Sequence, residues 1–219
     1  MSDIGKRLPR KRFSPDERRK LILDGAIHFF AEHGIDGSTH QLAKELNITQ
    51  PLIYQYFPNK EYLIDAVYDE LFNGRWNPEW DTLLKDRTRP LSLRLLQFYS
   101  EYSQVIQAPE WIRIYLDSGL KHLQLNRRYN TIIEQSVIHR ICDEMRVSLG
   151  LPDLDDLPIT DAEFEAVWTM HGGLFYHGVR KHVYKLETTR DYEAVIADIV
   201  EGFVVGFEVV VRRAVVRSR

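Results

Sequence analysis

The spacing of apolar residues is the strongest constraint that this sequence places on its fold. Apolar side chains recur every three or four residues along most of the chain, a period that matches the α-helix. No run of alternating apolar and polar residues is followed by a hairpin turn. We therefore predict an all-α fold of about nine helices.

Capping residues predict where the first helices begin. Ser14 and Glu17 form a capping box, which predicts a helix that starts at Ser14 and ends at Gly34. Ser38 begins a second, short helix in the same way, and Thr49 is expected to cap a third. Further helices are predicted at about 60–72, 90–107, 109–124, 127–149, 161–185 and 190–216, and Thr160 with Glu163 forms another capping box before the helix at 161–185.

Two short helices behind a longer supporting helix form a helix-turn-helix, which sets its second helix into the major groove of DNA. On the helix after Thr49, Ile53 and Phe57 lie four residues apart and predict the buried face. The remaining side chains are amides, aromatic hydroxyls and small apolar groups, which suit base edges and thymine methyls. Periodicity alone fits a protein-binding face on a helical bundle equally well. These outward residues are Gln50, Pro51, Leu52, Tyr54, Gln55 and Tyr56.

The order of residues distinguishes these two interpretations. The segment Tyr54-x-Tyr56-Phe57-Pro58-Asn59-Lys60-Glu61, and the run Gly37-Ser38-x-x-x-Leu42-Ala43-x-x-Leu46-x-Ile48-Thr49-Gln50-Pro51-x-Ile53 before it, resemble the signature of the tetracycline-repressor (TetR) family of transcriptional regulators. The spacing Ala26-x-x-Phe29-Phe30-x-x-x-Gly34 resembles the first helix of that family. The close resemblance covers about residues 14–64. Beyond them the chain matches only in length and helical pattern.

The resemblance implies a role in DNA binding for individual side chains. Gln50 would read an adenine edge, Pro51 and Leu52 would contact thymine methyls, and Tyr54 and Tyr56 would reach phosphates or bases. Lys60 would bind a phosphate at a helix N-terminus, and Ser38 and Thr39 would do likewise. Leu52 departs from the small or hydroxyl residue often found in the family, so the operator sequence does not carry over. The full predicted set is Ser38, Thr39, Thr49, Gln50, Pro51, Leu52, Tyr54, Gln55, Tyr56 and Lys60.

Charge is distributed unevenly along the chain. The formal net charge is -3, yet residues 1–60 hold ten Lys/Arg and seven Asp/Glu, which leaves -6 on residues 61–219. Five basic residues within the first twelve suit an arm that follows a phosphate backbone, although by themselves they fit a solvated tail equally well. We predict a basic flexible arm over 1–13, a helix-turn-helix DNA-binding domain over 14–60 and a helical regulatory and dimerisation domain over 61–219, in which 61–75 form a connecting helix.

Aromatic residues are concentrated on the predicted helices between the DNA-binding motif and the last helix. At helical spacing such stripes are more often core than pocket. Mixed with polar groups, they suit a cavity for an apolar or aromatic effector, which would favour one spacing of two DNA-binding heads, with the fourth helix as the lever. The predicted lining is Phe98, Tyr102, Trp111, Tyr115, Trp168, His171 and Phe175.

The last helix is apolar on more faces than one packing surface requires. Glycines four residues apart would let helices approach closely, although they also fit an internal core. Two DNA half-sites require a two-fold protein, and in the TetR family the last two long helices of each subunit form the dimer contact, so we predict a homodimer. The predicted interface is Gly173, His177, Phe203, Gly206, Phe207 and Val210.

Other classes of protein are less favoured. The eight histidines include no pair three or four residues apart, and no phosphate loop or nucleophile elbow is present, so we expect neither an enzyme nor a cofactor or metal. A lone Cys142 and the lack of an apolar run of about 18 residues predict a cytoplasmic protein with no membrane partner. The predicted function is therefore a repressor that binds palindromic duplex DNA and is released by a small-molecule effector. An activator or a protein-binding helical adaptor are the alternatives.

Overall fold

The computed structural model describes residues 13–121, 123–152, 154–188 and 190–217, and within these residues every regular element is helical. The predicted all-α fold is confirmed. The chain forms two compact units, which we call unit 1, ending at Val67, and unit 2, beginning at Tyr68. The basic arm predicted for residues 1–13 lies outside the described residues except for Phe13.

The helices of unit 1 pack around a small apolar core. The capping box predicted at Ser14 is present, since Glu17 N donates to Ser14 Oγ at 3.2 Å and Ser14 N donates to Glu17 Oε2 at 2.7 Å. Ile53 and Phe57 are both 0% exposed, as predicted for the inner face of the third helix. The helices are α1 (Pro15–His33), α2 (Thr39–Glu45), α3 (Gln50–Tyr56) and α4 (Lys60–Tyr68), whose last residue belongs to unit 2.

Unit 2 contains the remaining helices and two π-helical segments. The predicted capping box of Thr160 and Glu163 begins its second-longest helix. None of the described helices is both long and apolar enough to cross a membrane. In chain order the elements are a π-helical segment (Asp69–Asn73), α5 (Glu79–Lys85), α6 (Leu91–Ile106), α7 (Pro109–Lys121), α8 (Leu123–Ile133), a second π-helical segment (Glu134–Ile138), α9 (His139–Ser148), α10 (Asp161–His182) and α11 (Tyr192–Arg217).

The structure differs from the sequence prediction in three places. The helix predicted over 60–72 is α-helical only to Tyr68 and continues as the first π-helical segment. Helix α5 was not predicted, because it has seven residues and its N-cap, Pro78, makes no side-chain hydrogen bond. The helix predicted over 127–149 instead begins at Leu123 and is interrupted by the second π-helical segment. Neither a short helix held by its neighbours nor a local change of helical period leaves a clear signal in apolar spacing.

Buried ion pairs join the helices of unit 2. Arg146 on α9 and Glu163 on α10 are fully buried, with Arg146 Nε 2.6 Å from Glu163 Oε1. Arg94 on α6 donates to Glu144 on α9 at 2.8 Å, and both side chains are at most 4% exposed. Because a buried charge left without its partner is costly, these pairs fix how the three helices meet.

Candidate functional site

The turn between α2 and α3 places α3 at the surface of unit 1. Asn47 adopts a left-handed φ of 54°, which Asn tolerates better than most residues, and Ile48 N donates to Ala43 O at 2.9 Å. Helix α1 approaches this turn so closely that a Cβ on Gly25 would collide with the side chain of Leu46. The chain is therefore held in a sharp reversal between two short helices, as in a helix-turn-helix.

Three polar side chains of α2 and α3 are hydrogen-bonded to one another. Gln50 Nε2 donates to Thr39 Oγ1 at 2.8 Å, and the hydroxyls of Thr39 and Tyr54 are 2.8 Å apart. Gln50 Nε2 also lies 3.5 Å from the Tyr54 hydroxyl. Thr39 is only 6% exposed, whereas Tyr54 is 39% exposed, so a buried hydroxyl orients two side chains that reach the surface. We call these three residues the polar triad.

The other residues predicted to contact DNA surround the polar triad on the surface of unit 1. Pro51 and Gln55 are exposed, and Leu52 and Tyr56 are half-buried. Thr49 is the N-cap residue of α3, as predicted, but its hydroxyl makes no capping hydrogen bond. This exposed hydroxyl remains available to a partner.

The two remaining predicted residues lie at the N-termini of α2 and α4. Ser38 is exposed, and its hydroxyl accepts from Gln41 N at 3.2 Å. Lys60 is half-buried at the first position of α4, where Asn59 Oδ1 accepts from Tyr62 N at 2.7 Å. A lysine at this position adds its charge to the positive end of the helix dipole, a combination that suits an anion such as a phosphate.

Sequence reasoning did not find the residues that support this surface. The Arg19 guanidinium lies 4.8 Å from the centre of the Phe57 ring, and His33 Nε2 lies 3.1 Å from Glu45 Oε1. The position of Thr39 at the centre of the polar triad was also missed, because its two partners, Gln50 and Tyr54, lie 11 and 15 positions away in the sequence. Spacing within one helix carries no signal for such contacts.

Unit 2 contains a cavity of about 60 Å³ among α6, α7, α8 and α10. The structure brings six of the seven predicted effector-pocket residues to its wall: Tyr102, Trp111, Tyr115, Trp168, His171 and Phe175. Phe98 is fully buried outside the wall and stacks on Tyr102 with ring centres 5.4 Å apart. The wall also contains residues that were not predicted: Ile106, Tyr129, Asn130, Ile133 and Gly172.

The polar groups of the cavity wall are electrically neutral. The hydroxyls of Tyr102 and Tyr129 are hydrogen-bonded to each other, and Tyr115 donates to Asn130 Oδ1 at 2.8 Å. Burial lowers the pKa of His171 to about 4 and raises the pKa of both Tyr102 and Tyr129 above the usual phenol value. At neutral pH these side chains therefore line the cavity without a net charge.

The outer face of α10 and α11 is apolar and rich in small residues. Val205 is 70% exposed and Val209 is 58% exposed, and a Cβ at Gly202 or Gly206 would meet no atom within 4 Å. Of the predicted interface residues, Gly173 and Gly206 are exposed, Phe203 and Val210 are half-buried, and Phe207 is buried beside the groove that these helices form. His177 is buried inside unit 2, where its ring centre lies 4.5 Å from that of Tyr192.

Comparison with known proteins agrees with this arrangement. The family model described as bacterial regulatory proteins, tetR family, matches residues 22–67, which contain α2, α3 and most of α1 and α4. The tetracycline repressor protein class D of Escherichia coli is 30% identical over 88 residues, which cover 36% of this chain and 40% of the repressor. The transcriptional regulator LuxR of Vibrio harveyi is 33% identical over 72 residues, which cover 32% of this chain and 35% of LuxR. The chain thus spans less than half the length of these two relatives.

The fold of the whole chain has counterparts among solved structures. A tetR-family transcriptional regulator from Streptomyces coelicolor superposes with a TM-score of 0.56 at 15% identity, covering 93% of this chain and 90% of that one. At this identity the superposition shows a shared fold. Together with the matched N-terminal segment, it agrees with the resemblance seen in the sequence: residues 22–67 match the tetR family model, and the chain shares its fold with a tetR-family regulator.

Proposed function

We propose that this protein is a homodimeric transcriptional regulator that binds operator DNA through α3 and represses transcription until a small molecule releases it. The observation that carries this proposal is the polar triad, which holds an amide and a phenol in fixed positions on the exposed side of α3. The matched family is one of regulatory proteins, which favours this class over an enzyme. A regulator of chromosomal genes would act in the cytoplasm.

The chemistry of α3 suits the major groove. Its sequence, QPLIYQY, contains no acidic residue that would repel phosphates. Gln50 presents an amide, which can both donate and accept and so pairs with the edge of adenine. Glu45, the nearest acidic residue in α2, is engaged by His33 and by Gln41 Nε2, which donates to it at 3.3 Å.

Lys60 and Gln50 would perform different tasks. A lysine on a phosphate contributes to binding whatever the base sequence, whereas an amide on a base edge contributes only at its own base pair. Ser38, Thr49 and Tyr56 would add further phosphate or base contacts. Pro51, Leu52 and Gln55 would complete the surface that enters the groove.

The α10–α11 face supports the proposed homodimer. Exposed valines and glycines on adjacent helices form an apolar surface. Its exposure to water is unfavourable, and a second copy of the chain would cover it. In the absence of Cβ atoms at Gly202 and Gly206, a partner helix can approach closely. A two-fold dimer would present two α3 helices to a palindromic operator.

The cavity in unit 2 supports regulation by an effector. A molecule that binds there more tightly in one conformation of the dimer than in another shifts the population toward that conformation. Coupling free energies between such sites are typically about 1–3 kcal/mol, which corresponds to about 5- to 150-fold in DNA affinity. Release of DNA by the effector would make the protein a repressor that is induced by its ligand.

The test begins with selection of duplexes from a random library by the purified full-length protein, followed by fluorescence anisotropy on the selected duplex and a scrambled one. We expect Lys60→Ala to weaken both duplexes similarly and Gln50→Ala to cost about 1–3 kcal/mol on the selected duplex alone. Lys85→Ala, which changes an exposed lysine of α5 in unit 2, is the matched control. No selected duplex, or affinity that is insensitive to salt, would instead favour a protein-binding adaptor.

A further inference from the structure

The buried indole of Trp111 lacks a hydrogen-bond partner. Trp111 lies on α7, is 2% exposed and lines the cavity of unit 2, yet its Nε1 has no acceptor among the residues that the structure describes. Buried donors are normally satisfied, because burying an N–H without an acceptor loses its hydrogen bond to water. An unsatisfied donor in a cavity wall is therefore an indication of what the cavity binds.

We propose that this cavity binds a small neutral aromatic molecule that carries a hydrogen-bond acceptor, such as a carbonyl oxygen, and that the acceptor takes the indole N–H of Trp111. This inference rests on the proposed function, because it names the chemical class of the effector. It depends on Trp111 and its surroundings, and no part of it depends on how α3 contacts DNA.

Several other polar groups in the wall have hydrogen-bond partners. Tyr102 and Tyr129 share one hydrogen bond between their hydroxyls. The hydroxyl of Tyr115 donates to Asn130 Oδ1, and His171 Nδ1 lies 3.4 Å from the hydroxyl of Tyr99. Among the described residues of the wall, Trp111 Nε1 is the one fully buried side-chain donor without a hydrogen-bond partner, so a ligand acceptor can engage it without breaking one of these bonds.

The rings in the wall favour an aromatic ligand. Trp111 and Tyr115 are nearly parallel, with ring centres 4.9 Å apart, whereas Phe175 meets Trp111 edge to face at 6.0 Å. Faces and edges of aromatic rings are thus both presented within one small region. Another ring can pack there in offset or edge-to-face geometry, which is the preferred arrangement of aromatic pairs.

The charge of the wall excludes an ionised ligand. Among the eleven described residues that line the cavity, none is Asp, Glu, Lys or Arg. The titratable groups are tyrosines and His171, and burial keeps the pKa of His171 near 4, so the imidazole is neutral at pH 7. A carboxylate or ammonium ion would lose its hydration here and gain no opposite charge.

The size of the cavity implies that its wall moves when a ligand enters. A cavity of about 60 Å³ is smaller than the roughly 150 Å³ that accommodates benzene in a protein core. Tyr115, Trp168 and Phe175 are half-buried, whereas Trp111 is deeply buried, so these three form the outer side of the wall. A Cβ on the neighbouring Gly172 would meet no atom within 4 Å, which leaves space for them to rotate.

Three probes of nearly identical shape test the proposal: acetophenone, its hydrocarbon counterpart cumene, and the anion benzoate. Ligand-observed NMR titration of the full-length protein gives an affinity for each. We expect acetophenone to bind about tenfold more tightly than cumene, the ratio that one added hydrogen bond gives. Benzoate is expected to bind more weakly than either.

Trp111→Phe removes the N–H and keeps an aromatic ring. In this variant we expect the tenfold preference for acetophenone over cumene to disappear, while cumene affinity changes little. Trp76→Phe, which alters a tryptophan of unit 2 outside the cavity wall, should retain the preference. Thermal unfolding of both variants verifies that they are folded. If Trp111→Phe does not fold, the comparison of the three probes on the wild-type protein still tests the proposal.

Several results would overturn the proposal. They are equal binding of acetophenone and cumene by the wild-type protein, benzoate as the tightest probe, an equal loss for both neutral probes in Trp111→Phe, or no binding of any probe at millimolar concentration. Anisotropy with the selected duplex is measured separately. A protein that binds acetophenone as expected but binds no duplex would contradict the proposed function and leave the ligand class intact.

Discussion

Replacing Thr39 with valine isolates the contribution of the polar triad. Valine has nearly the same shape, but it lacks the hydroxyl that accepts from Gln50 and pairs with Tyr54, each at 2.8 Å. Because Tyr54 is 39% exposed, water replaces part of what is lost. We therefore expect Thr39→Val to lower the free energy of unfolding by about 1 kcal/mol, near the value of one net hydrogen bond.

The effect on specific DNA binding should be larger than the effect on stability. Without Thr39 Oγ1, the side chains of Gln50 and Tyr54 rotate freely and must be ordered when DNA binds. Ordering a side chain at an interface costs about 0.5–1.5 kcal/mol, so two cost about 1–3 kcal/mol, or about 5- to 150-fold in affinity. Binding to unrelated duplex, which depends on phosphate contacts, should be nearly unchanged.

Fluorescence anisotropy on the selected and scrambled duplexes, at one fixed salt concentration, separates these effects. Thr82→Val, the same change at an exposed position of α5 in unit 2, is the control. An equal loss on both duplexes would mean that Thr39 supports the fold of unit 1 without orienting the base-reading side chains. Full retention of specific affinity would refute the role of the polar triad.

Three further predictions concern unit 2. If α10 and α11 form the dimer contact, Gly206→Trp should weaken the free energy of dimerisation by about 1–3 kcal/mol per copy, so size-exclusion chromatography with light scattering should show dissociation. Leu93→Trp, at an exposed position of α6, should remain dimeric. Burial lowers the pKa of His171 to about 4 from its usual 6.5, so the folded state favours the neutral ring. The free energy of unfolding should therefore fall by about 3 kcal/mol as the pH drops from 6.5 to 4. His171→Gln should remove that part of the pH dependence, and an unchanged profile would contradict the assignment. Glu163→Gln should destabilise the protein by about 3–5 kcal/mol in urea unfolding, because it removes the carboxylate that neutralises the buried charge of Arg146, and adding Arg146→Met should restore part of that loss; no recovery would show that the cost lies elsewhere.

Local chemistry explains which parts of the fold were predictable. Capping boxes at Ser14 and Thr160 use residues three positions apart, so they were visible in the sequence and are present in the structure. Helix α5 was not visible because its stability comes from distant contacts, such as the bond from Trp80 Nε1 to Glu101 Oε2 at 2.9 Å. The same limit hid the residues of α8, including Tyr129, that complete the cavity.

The candidate sites were predictable to different depths. The inner face of α3 followed from the spacing of Ile53 and Phe57, and the exposed residues followed by elimination. The contact of Thr39 with two of those residues crosses from α2 to α3 and has no sequence signature. The assignment of individual residues to DNA, effector and partner copy remains a prediction that the experiments above address.

The π-helical segment Asp69–Asn73 constrains how the chain can change in length. It accommodates an additional residue within a helical run. The ring of Tyr68, just before the segment, stacks on the ring of Phe72, within it, with ring centres 4.0 Å apart. Deleting the additional residue here would restore ordinary α-helical winding without rotating the flanking turns, whereas a deletion from an uninterrupted helix turns all that follows by about 100°. Phe72 of this segment lies 4.8 Å from the ring of Trp111, so the segment also holds a side chain of the aromatic cluster. Single-residue deletions should therefore be tolerated better at this point than within the uninterrupted helices.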